Sequence, residues 1–239
     1  MKYYMVTGAS SGIGRETAIQ LSSESSTILL VARRRENLEK VKQLLKGPGI
    51  VMPCDLTDPK EIEALFETLK NQNIKLDGLI YCAGICFTKT IKMMQSGDLE
   101  DMFRINVFGF YEVCRHFQKV KISNAGAAIV GVSSYAAVLK ESGMSAYAMS
   151  KEAMNIQVQV LSKEFAKRKI RINTIMPANV MSKMDCENND WSEEELTVVN
   201  SKQPFGIIPI ENIVEIIKFL LSDTARFITG ETLSVSAGY

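Results

Sequence analysis

The residues TGASSGIG at positions 7–14 decide the fold, because they join a short apolar run to a segment of helical period. The run over 3–7 is predicted to be a strand, and the segment over 12–24 a helix. Glycines at positions 8, 12 and 14 let the backbone turn tightly and approach a pyrophosphate at the helix N-terminus. The spacing, Gly-x3-Gly-x-Gly, is weak as a lone motif. Its place at the first strand-to-helix turn predicts a dinucleotide-binding site.

The same letters allow a second interpretation, because residues 8–12 also fit the G-x-S-x-G turn that carries the nucleophilic serine of α/β-hydrolases. That turn also follows a strand and precedes a helix, but it lies well into the hydrolase sheet. The only available base would be His116, within a predicted amphipathic helix. A serine esterase using Ser10 is therefore the remote alternative.

Outward from this turn, short apolar runs alternate with longer helical segments. Further strands are predicted at 27–32, 50–53, 76–81, 127–133, 170–175 and 232–235, and further helices at 36–46, 59–71, 97–120, 145–169 and 210–222. The run TILLVA at 27–32 has the continuous apolar character of a strand buried on both faces. The pattern predicts one α/β domain over 1–239, with a doubly wound parallel sheet. The irregular stretch at about 178–206 is predicted to be a substrate lid, with a merely mobile loop as the alternative.

Composition limits the classes of partner. The chain has 239 residues, 28 Lys plus Arg, 27 Asp plus Glu and a net charge of +1, which gives no electrostatic footprint for nucleic acid or an anionic membrane. Five scattered cysteines without a CxxC pair, and a single histidine, indicate reduced thiols and no metal site. With no signal peptide and no apolar stretch long enough to span a bilayer, we expect a cytoplasmic protein.

The end of the second strand bears on the choice of cofactor. Ala32 is followed by Arg33, Arg34 and Arg35, where an acidic residue would bind ribose hydroxyls and repel a 2′-phosphate. Ala32 leaves room, and a forked contact from Arg33 worth about 1.5–3 kcal/mol gives a roughly ten- to hundredfold preference for NADP(H) over NAD(H). Three solvated arginines at a helix start are the alternative. Asp55, beyond the third strand, is either an acceptor from the adenine amino group or a cap of the next turn.

A candidate catalytic group opens the long helix, where Tyr147 and Lys151 lie four residues apart on one face. Reduction of a carbonyl requires a proton donor, and tyrosine has a pKa near 10. A neighbouring ammonium, helped by the charge of an oxidised nicotinamide, is expected to lower the pKa of Tyr147 by a few units. Ser133 and Ser134 end the preceding strand and face the same cleft. Asn106 is an amide among apolar residues, expected to support a water relay to Lys151 or to act as a helix-kink residue.

Together these residues resemble the short-chain dehydrogenase/reductase family. TGASSGIG, Asp55, the Ala83-Gly84 pair, Asn106, Ser134, the Tyr-x-x-x-Lys pair and the stretch from 171 to 177 follow one another in the family's order over essentially the whole chain. The resemblance selects Ser134 over Ser133. It implies a Rossmann-type sheet of about seven strands with helices on both faces, and frequent tetramers.

The resemblance also implies the roles of the site residues. The catalytic set is Asn106, Ser134, Tyr147 and Lys151. The expected cofactor-binding residues are Gly8, Ser10, Ser11, Gly12, Ile13, Gly14, Arg33, Arg34, Asp55, Leu56, Ala83, Gly84, Tyr147, Lys151, Pro177 and Val180.

Within the family the chain is most similar to the 3-oxoacyl-acyl-carrier-protein reductases, yet it departs from their pattern. Arg168 stands where one docking arginine is found, but Ala128 occupies the companion position. The family's Asn-Asn-Ala-Gly begins Tyr81-Cys82 here, and Pro177 is followed by alanine instead of glycine.

The sequence thus predicts an NADP(H)-dependent oxidoreductase acting on a ketone or secondary alcohol, with an acyl-carrier or CoA thioester among the candidate substrates. A homotetramer or homodimer is expected. The alternative from another class is an NADP(H)-binding regulator or sensor with little turnover.

Overall fold

A seven-stranded parallel sheet forms the centre of the computed structural model, which describes residues 1–181 and 192–239, and of 193–196 only the backbone. The spatial order of its strands is β3-β2-β1-β4-β5-β6-β9. The strands are β1 (Lys2–Thr7), β2 (Ser26–Ala32), β3 (Gly49–Pro53), β4 (Leu76–Tyr81), β5 (Ser123–Val132), β6 (Arg171–Pro177) and β9 (Thr232–Val235). The predicted doubly wound sheet of about seven strands is confirmed.

Helices cover both faces of the sheet. They are α1 (Gly12–Leu21), α2 (Arg35–Lys42), α3 (Pro59–Asn71), α4 (Asp98–Phe103), α5 (Phe110–Phe117), α6 (Ala136–Leu139), α7 (Ser145–Phe165), α8 (Glu193–Lys202) and α9 (Ile210–Leu221). One core lies under α3, α5 and α7, and a second under α1, α2 and α9. Strand β2, between these two cores, is mostly apolar because its side chains on both faces are buried.

A side-chain cap marks the start of α3. Asp58 accepts a hydrogen bond from the Lys60 amide and caps α3 ahead of Pro59, which needs no amide donor there. Helices α1 and α2 end a few residues earlier than their periodicity predicted. The predicted helix over 97–120 is interrupted by one wide π-turn, Arg104–Gly109, between α4 and α5.

The order in which strands are added to the sheet reverses at β1. From β1 the chain moves outward through β2 and β3, then returns to place β4 on the other side of β1. In such sheets the crevice at the carboxyl ends of the two strands flanking the switch receives the ligand. The turns after β1 and β4 therefore form the floor of the candidate site.

The region predicted to be a lid has structure that the sequence did not predict. Two short strands, β7 (Val180–Met181) and β8 (Ile208–Pro209), pair in parallel. Gln203 is fully buried, and its Oε1 accepts hydrogen bonds from the amide and side chain of Asn179, which ties the two ends of the region together. Residues 182–191 of the predicted lid, which include Met184, Cys186 and Trp191, lie outside the described residues.

Candidate active site

A cleft of about 800 Å³ opens at the carboxyl ends of the central strands. All of the predicted cofactor-binding residues line it, from the glycine turn to Val180, and so does Ser134. Asn106 lies behind the lining, fully buried. The cleft therefore brings together groups that are separated by more than a hundred residues in the chain.

The glycine turn is packed so closely that side chains are excluded at two positions. A Cβ on Gly14 would lie 2.4 Å from the Gly8 carbonyl oxygen, and a Cβ on Gly8 would lie 2.9 Å from the Ala83 nitrogen. Gly8 and Gly12 also have positive φ, at 63° and 50°, which favours glycine. No side chain caps the N-terminus of α1, where Ser11 is the N-cap residue. The first amides of α1 thus have no side-chain cap, and the prediction that they bind a phosphate is compatible with this geometry.

Thr7 connects the two strand ends at the switch point. Its buried hydroxyl accepts hydrogen bonds from the amides of Cys82 and Ala83, at 3.1 and 3.2 Å. The turn after β4 is held in this way although the family's asparagine is absent from it.

The arginines after β2 differ in their surroundings. Arg33 and Arg34 line the cleft, and Arg34 lies close to the amide of Asn37. Arg35 is outside the lining and pairs with Glu39 at 3.5 Å. Among the residues that the structure describes, Arg33 has no hydrogen-bond or ion-pair partner, so its guanidinium is available to an anion at this end of the cleft.

Asp55 stabilises its own loop. Its Oδ1 accepts hydrogen bonds from the amide and the hydroxyl of Thr57, at 2.9 and 2.8 Å, and its amide donates to Glu61. This is the loop-capping role that stood beside adenine binding as an alternative. Because Asp55 and Leu56 also line the cleft, the adenine contact stays a prediction.

Tyr147 and Lys151 lie together at the other end of the cleft. The Lys151 Nζ is 5.6 Å from the centroid of the Tyr147 ring and donates a 2.8 Å hydrogen bond to the Val132 carbonyl. Only 4% of Lys151 is exposed, and burial lowers the pKa of its ammonium to about 8. At pH 7 the side chain is still mainly protonated, so a positive charge is held beside the phenol.

The chain by itself does not lower the pKa of Tyr147, and the lowering expected beside an oxidised nicotinamide stays a prediction. Burial raises the pKa of the phenol to about 12, and the Cys86 thiol contributes in the same direction. A hydrogen bond with Ser134 acts in the opposite direction and lowers it. The cost of burying a phenolate is therefore larger than the stabilisation that the chain supplies.

The two serines after β5 have different partners. Ser133 is buried, and its hydroxyl donates to the Lys151 carbonyl at 3.2 Å, which uses it within the fold. Ser134 lines the cleft, bonds with Tyr147 and accepts from the Ala136 amide at 3.2 Å. These contacts support the choice of Ser134 as the candidate catalytic serine.

Asn106 lies in the π-turn and uses both ends of its amide. Oδ1 accepts from the Ile85 amide at 3.0 Å, while Nδ2 donates to the Ile85 carbonyl at 3.0 Å and to the Ser150 hydroxyl at 2.9 Å. A Cβ on Gly84 would lie 2.8 Å from Asn106 Oδ1 and 3.5 Å from Lys151 Nζ, so both groups approach this glycine. The water relay to Lys151 stays a prediction, and the observed partners are protein groups.

Three groups near the site escaped sequence reasoning. Cys82 and Cys86 line the cleft, and burial raises the pKa of both thiols, that of Cys82 to about 12. Tyr81 lies beneath the cleft, and its hydroxyl donates to the Ile105 carbonyl in the π-turn. The sequence signal for Tyr81 and Cys82 was that they replace the family's Asn-Asn pair. That replacement does not show where their side chains point, and Cys86 had no signal.

Arg168, considered for docking an acyl carrier, and His116, considered as a catalytic base, both make contacts within the fold. Arg168 donates to the carbonyls of Gln118 and Ser123 and to the Ser123 hydroxyl, which leaves little of its guanidinium for docking an acyl carrier. His116 stacks on Phe66, with ring centroids 5.0 Å apart, and does not line the cleft that contains Ser10. The esterase alternative therefore has no histidine base near its serine among the described residues.

Membrane-spanning helices and metal-ligand clusters are both absent from the described part of the chain. No helix there is long and apolar enough to cross a bilayer. No group of three or more metal-ligating His, Cys, Asp or Glu side chains occurs there.

The fold and the cleft define a nicotinamide-dependent oxidoreductase of the Rossmann type. A family model described as enoyl-(acyl carrier protein) reductase matches residues 8–239. The chain belongs to the short-chain dehydrogenase/reductase family.

Individual relatives agree with this assignment. The chain is 29% identical to an uncharacterized oxidoreductase, YgfF, of Escherichia coli, with all of both chains covered. It is 27% identical to the 3-oxoacyl-[acyl-carrier-protein] reductase FabG of Thermotoga maritima, over 99% of this chain and 97% of the relative. A short-chain dehydrogenase/reductase structure from Mycobacterium ulcerans superimposes with a TM-score of 0.91 at 26% identity, covering 99% of this chain and 89% of that one.

Proposed function

We propose that this protein is an NADP(H)-dependent reductase of ketones, or dehydrogenase of secondary alcohols, in the cytoplasm. The observation that carries the proposal is the convergence of Tyr147, Ser134 and Lys151 at one end of the cleft whose other end is the glycine turn. A proton donor, a polar group for the carbonyl and a buried cation then lie beside the place where a nicotinamide would be bound.

The residues of the chain fit the cofactor. Backbone amides of the turn, where close packing excludes a Cβ at Gly8 and Gly14, would hold the phosphates, and Lys151, which lines the cleft, would hold the ribose. A bound nicotinamide supplies the hydride, or accepts it in the reverse direction.

Tyr147 donates the proton that the new alcohol requires. Ser134, which bonds with Tyr147, would donate its single hydroxyl hydrogen to the substrate carbonyl. Lys151 holds a positive charge near the phenolate that remains after proton transfer. Because burial keeps the pKa of Tyr147 at about 12, the phenol is protonated at neutral pH and has a proton to donate.

Arg33 supports a preference for NADP(H). It is exposed at the ribose end of the cleft, has no partner among the described residues, and no acidic side chain ends β2. An Arg33→Ser variant is expected to bind NADPH roughly ten- to hundredfold more weakly, with NADH affinity unchanged. Arg35→Ser is the matched control, since Arg35 pairs with Glu39 outside the cleft. Equal losses for both cofactors would contradict the preference.

The candidate substrates are small ketones and 3-oxoacyl thioesters carried by CoA or an acyl carrier. Names of relatives such as the Thermotoga FabG favour a thioester, whereas the internal bonds of Arg168 count against an acyl carrier bound at that residue. Exposed Phe108, Tyr111 and Ile156 on neighbouring helices support a homodimer or homotetramer, which light scattering on a sizing column would measure.

The test of the proposed function is a carbonyl screen that follows oxidation of NADPH and NADH, preceded by a binding titration of each. We expect NADPH to bind more tightly and at least one ketone or 3-oxoacyl thioester to be reduced. Binding without turnover across the panel would favour the regulator or sensor. Ester hydrolysis without added nucleotide, lost in Ser10→Ala, would overturn the reductase.

A further inference from the structure

Tyr81 is a buried polar residue to which the reaction described above gives no role. It is the last residue of β4, its side chain is fully buried, and its ring packs edge-on against Phe110 with centroids 5.1 Å apart. Burial raises the pKa of its phenol well above the usual value, so the hydroxyl is neutral and acts as a donor.

The hydroxyl of Tyr81 is directed at the π-turn. It donates a 2.7 Å hydrogen bond to the carbonyl of Ile105, the residue before Asn106. Gly109, the last residue of the turn, makes room for it, because a Cβ there would lie 2.7 Å from the hydroxyl. The tyrosine and the glycine are thus complementary in shape.

The π-turn in turn places Asn106. From this turn Asn106 reaches the Ile85 backbone with both ends of its amide and donates to Ser150, whose hydroxyl donates to the Tyr147 carbonyl at 2.8 Å. A continuous set of hydrogen bonds therefore connects β4 with the start of α7. A wide turn of this kind is rare in helices and is frequently found at functional sites.

We propose that Tyr81 is a positioning residue: its hydroxyl fixes the π-turn at Ile105 and thereby holds Asn106 against Ile85 and Ser150. The effect on turnover rests on the function proposed above, whereas the effect on Asn106 does not.

The test compares Tyr81→Phe with Tyr4→Phe by amide hydrogen exchange and by kinetics. Phenylalanine keeps the packing against Phe110 and removes only the hydroxyl. Tyr4 lies on the neighbouring strand β1, away from the π-turn, and its variant is the matched control. The Ile85 amide, which donates to Asn106, reports the position of Asn106 without requiring activity.

In Tyr81→Phe we expect the Ile85 amide to exchange at least tenfold faster. The amides of Cys82 and Ala83, which donate to Thr7, are expected to keep their rates. With an active wild type, kcat is expected to fall about tenfold while KM and the NADPH Kd stay within twofold. Tyr4→Phe is expected to change none of these quantities.

Three results would overturn the proposal. Ile85 exchange could be unchanged, all three amides could accelerate together as in a general loosening of β4, or kcat could stay at the wild-type value while Ile85 exchanges faster. If the wild type reduces no carbonyl at all, the proposed function fails, and the exchange rates alone decide the placement of Asn106.

Discussion

The strand ends that form the floor of the cleft, those of β1 and β4, are built in different ways. The turn after β1 is made of backbone, and its fit depends on the absence of side chains at Gly8 and Gly14. The turn after β4 is held by two side chains, the hydroxyl of Thr7 and the amide of Asn106. A backbone cradle tolerates almost no substitution, whereas a set of side-chain contacts can be rebuilt with other residues.

The largest effect is expected from Gly14→Ala, which tests the backbone side of this comparison. The new Cβ would lie 2.4 Å from the Gly8 carbonyl oxygen, so the phosphate cradle must shift. We expect NADPH affinity, measured by fluorescence titration, to fall at least about a hundredfold, or about 2.7 kcal/mol.

The control for this variant is Gly12→Ala. A Cβ at Gly12 meets no atom within 4 Å, and only its φ of 50° opposes alanine. We expect a loss of stability of about 1 kcal/mol and a smaller loss of affinity than for Gly14→Ala. Equal losses of affinity for the two variants would show that close packing is not what defines the turn.

A second prediction concerns the charge buried at the other end of the cleft. Because burial lowers the pKa of Lys151 to about 8, its ammonium destabilises the folded protein by at most about 3 kcal/mol below pH 8, where both folded and unfolded chains are protonated. As the pH rises from about 8 to 10.5, the folded protein loses this proton before the unfolded chain does. The free energy of unfolding therefore rises between about pH 8 and pH 10.5.

Lys151→Met removes the buried charge and is expected to raise the free energy of unfolding by about 1–3 kcal/mol at pH 7, with loss of turnover. Urea unfolding of the nucleotide-free protein at pH 7 and pH 10.5 measures the difference, which should shrink at the higher pH. A destabilised variant at pH 7 would show that the bond to Val132 outweighs the cost of the charge.

The smallest effect is expected from Arg168→Ala, which separates support of the fold from substrate docking. Loss of the bonds to Gln118 and Ser123 is expected to cost about 1–2 kcal/mol of stability. The ratio of kcat/KM for carrier-linked and CoA-linked substrates should stay the same, as in the neighbouring control Lys167→Ala. A selective loss with the carrier-linked substrate would restore the docking role.

The backbone-built parts of the molecule were predictable from sequence. Continuous apolar strands, the Asp58 cap and the glycine spacing are local signals, and they led to the sheet, to most helices and to the turn after β1 that lines the cleft. The direction of the Tyr81 hydroxyl, the bonds of Arg168 and the raised pKa of Tyr147 depend on groups distant in sequence or on burial. No local pattern encodes those contacts, so only the folded structure shows them.

The most direct test of the central claim is single-turnover reduction of a confirmed carbonyl substrate by Tyr147→Phe, with Tyr135→Phe as the control. The account predicts at least a hundredfold slower reduction for Tyr147→Phe, with an unchanged NADPH Kd and a near-normal rate for the control. Near-wild-type reduction by Tyr147→Phe would contradict it.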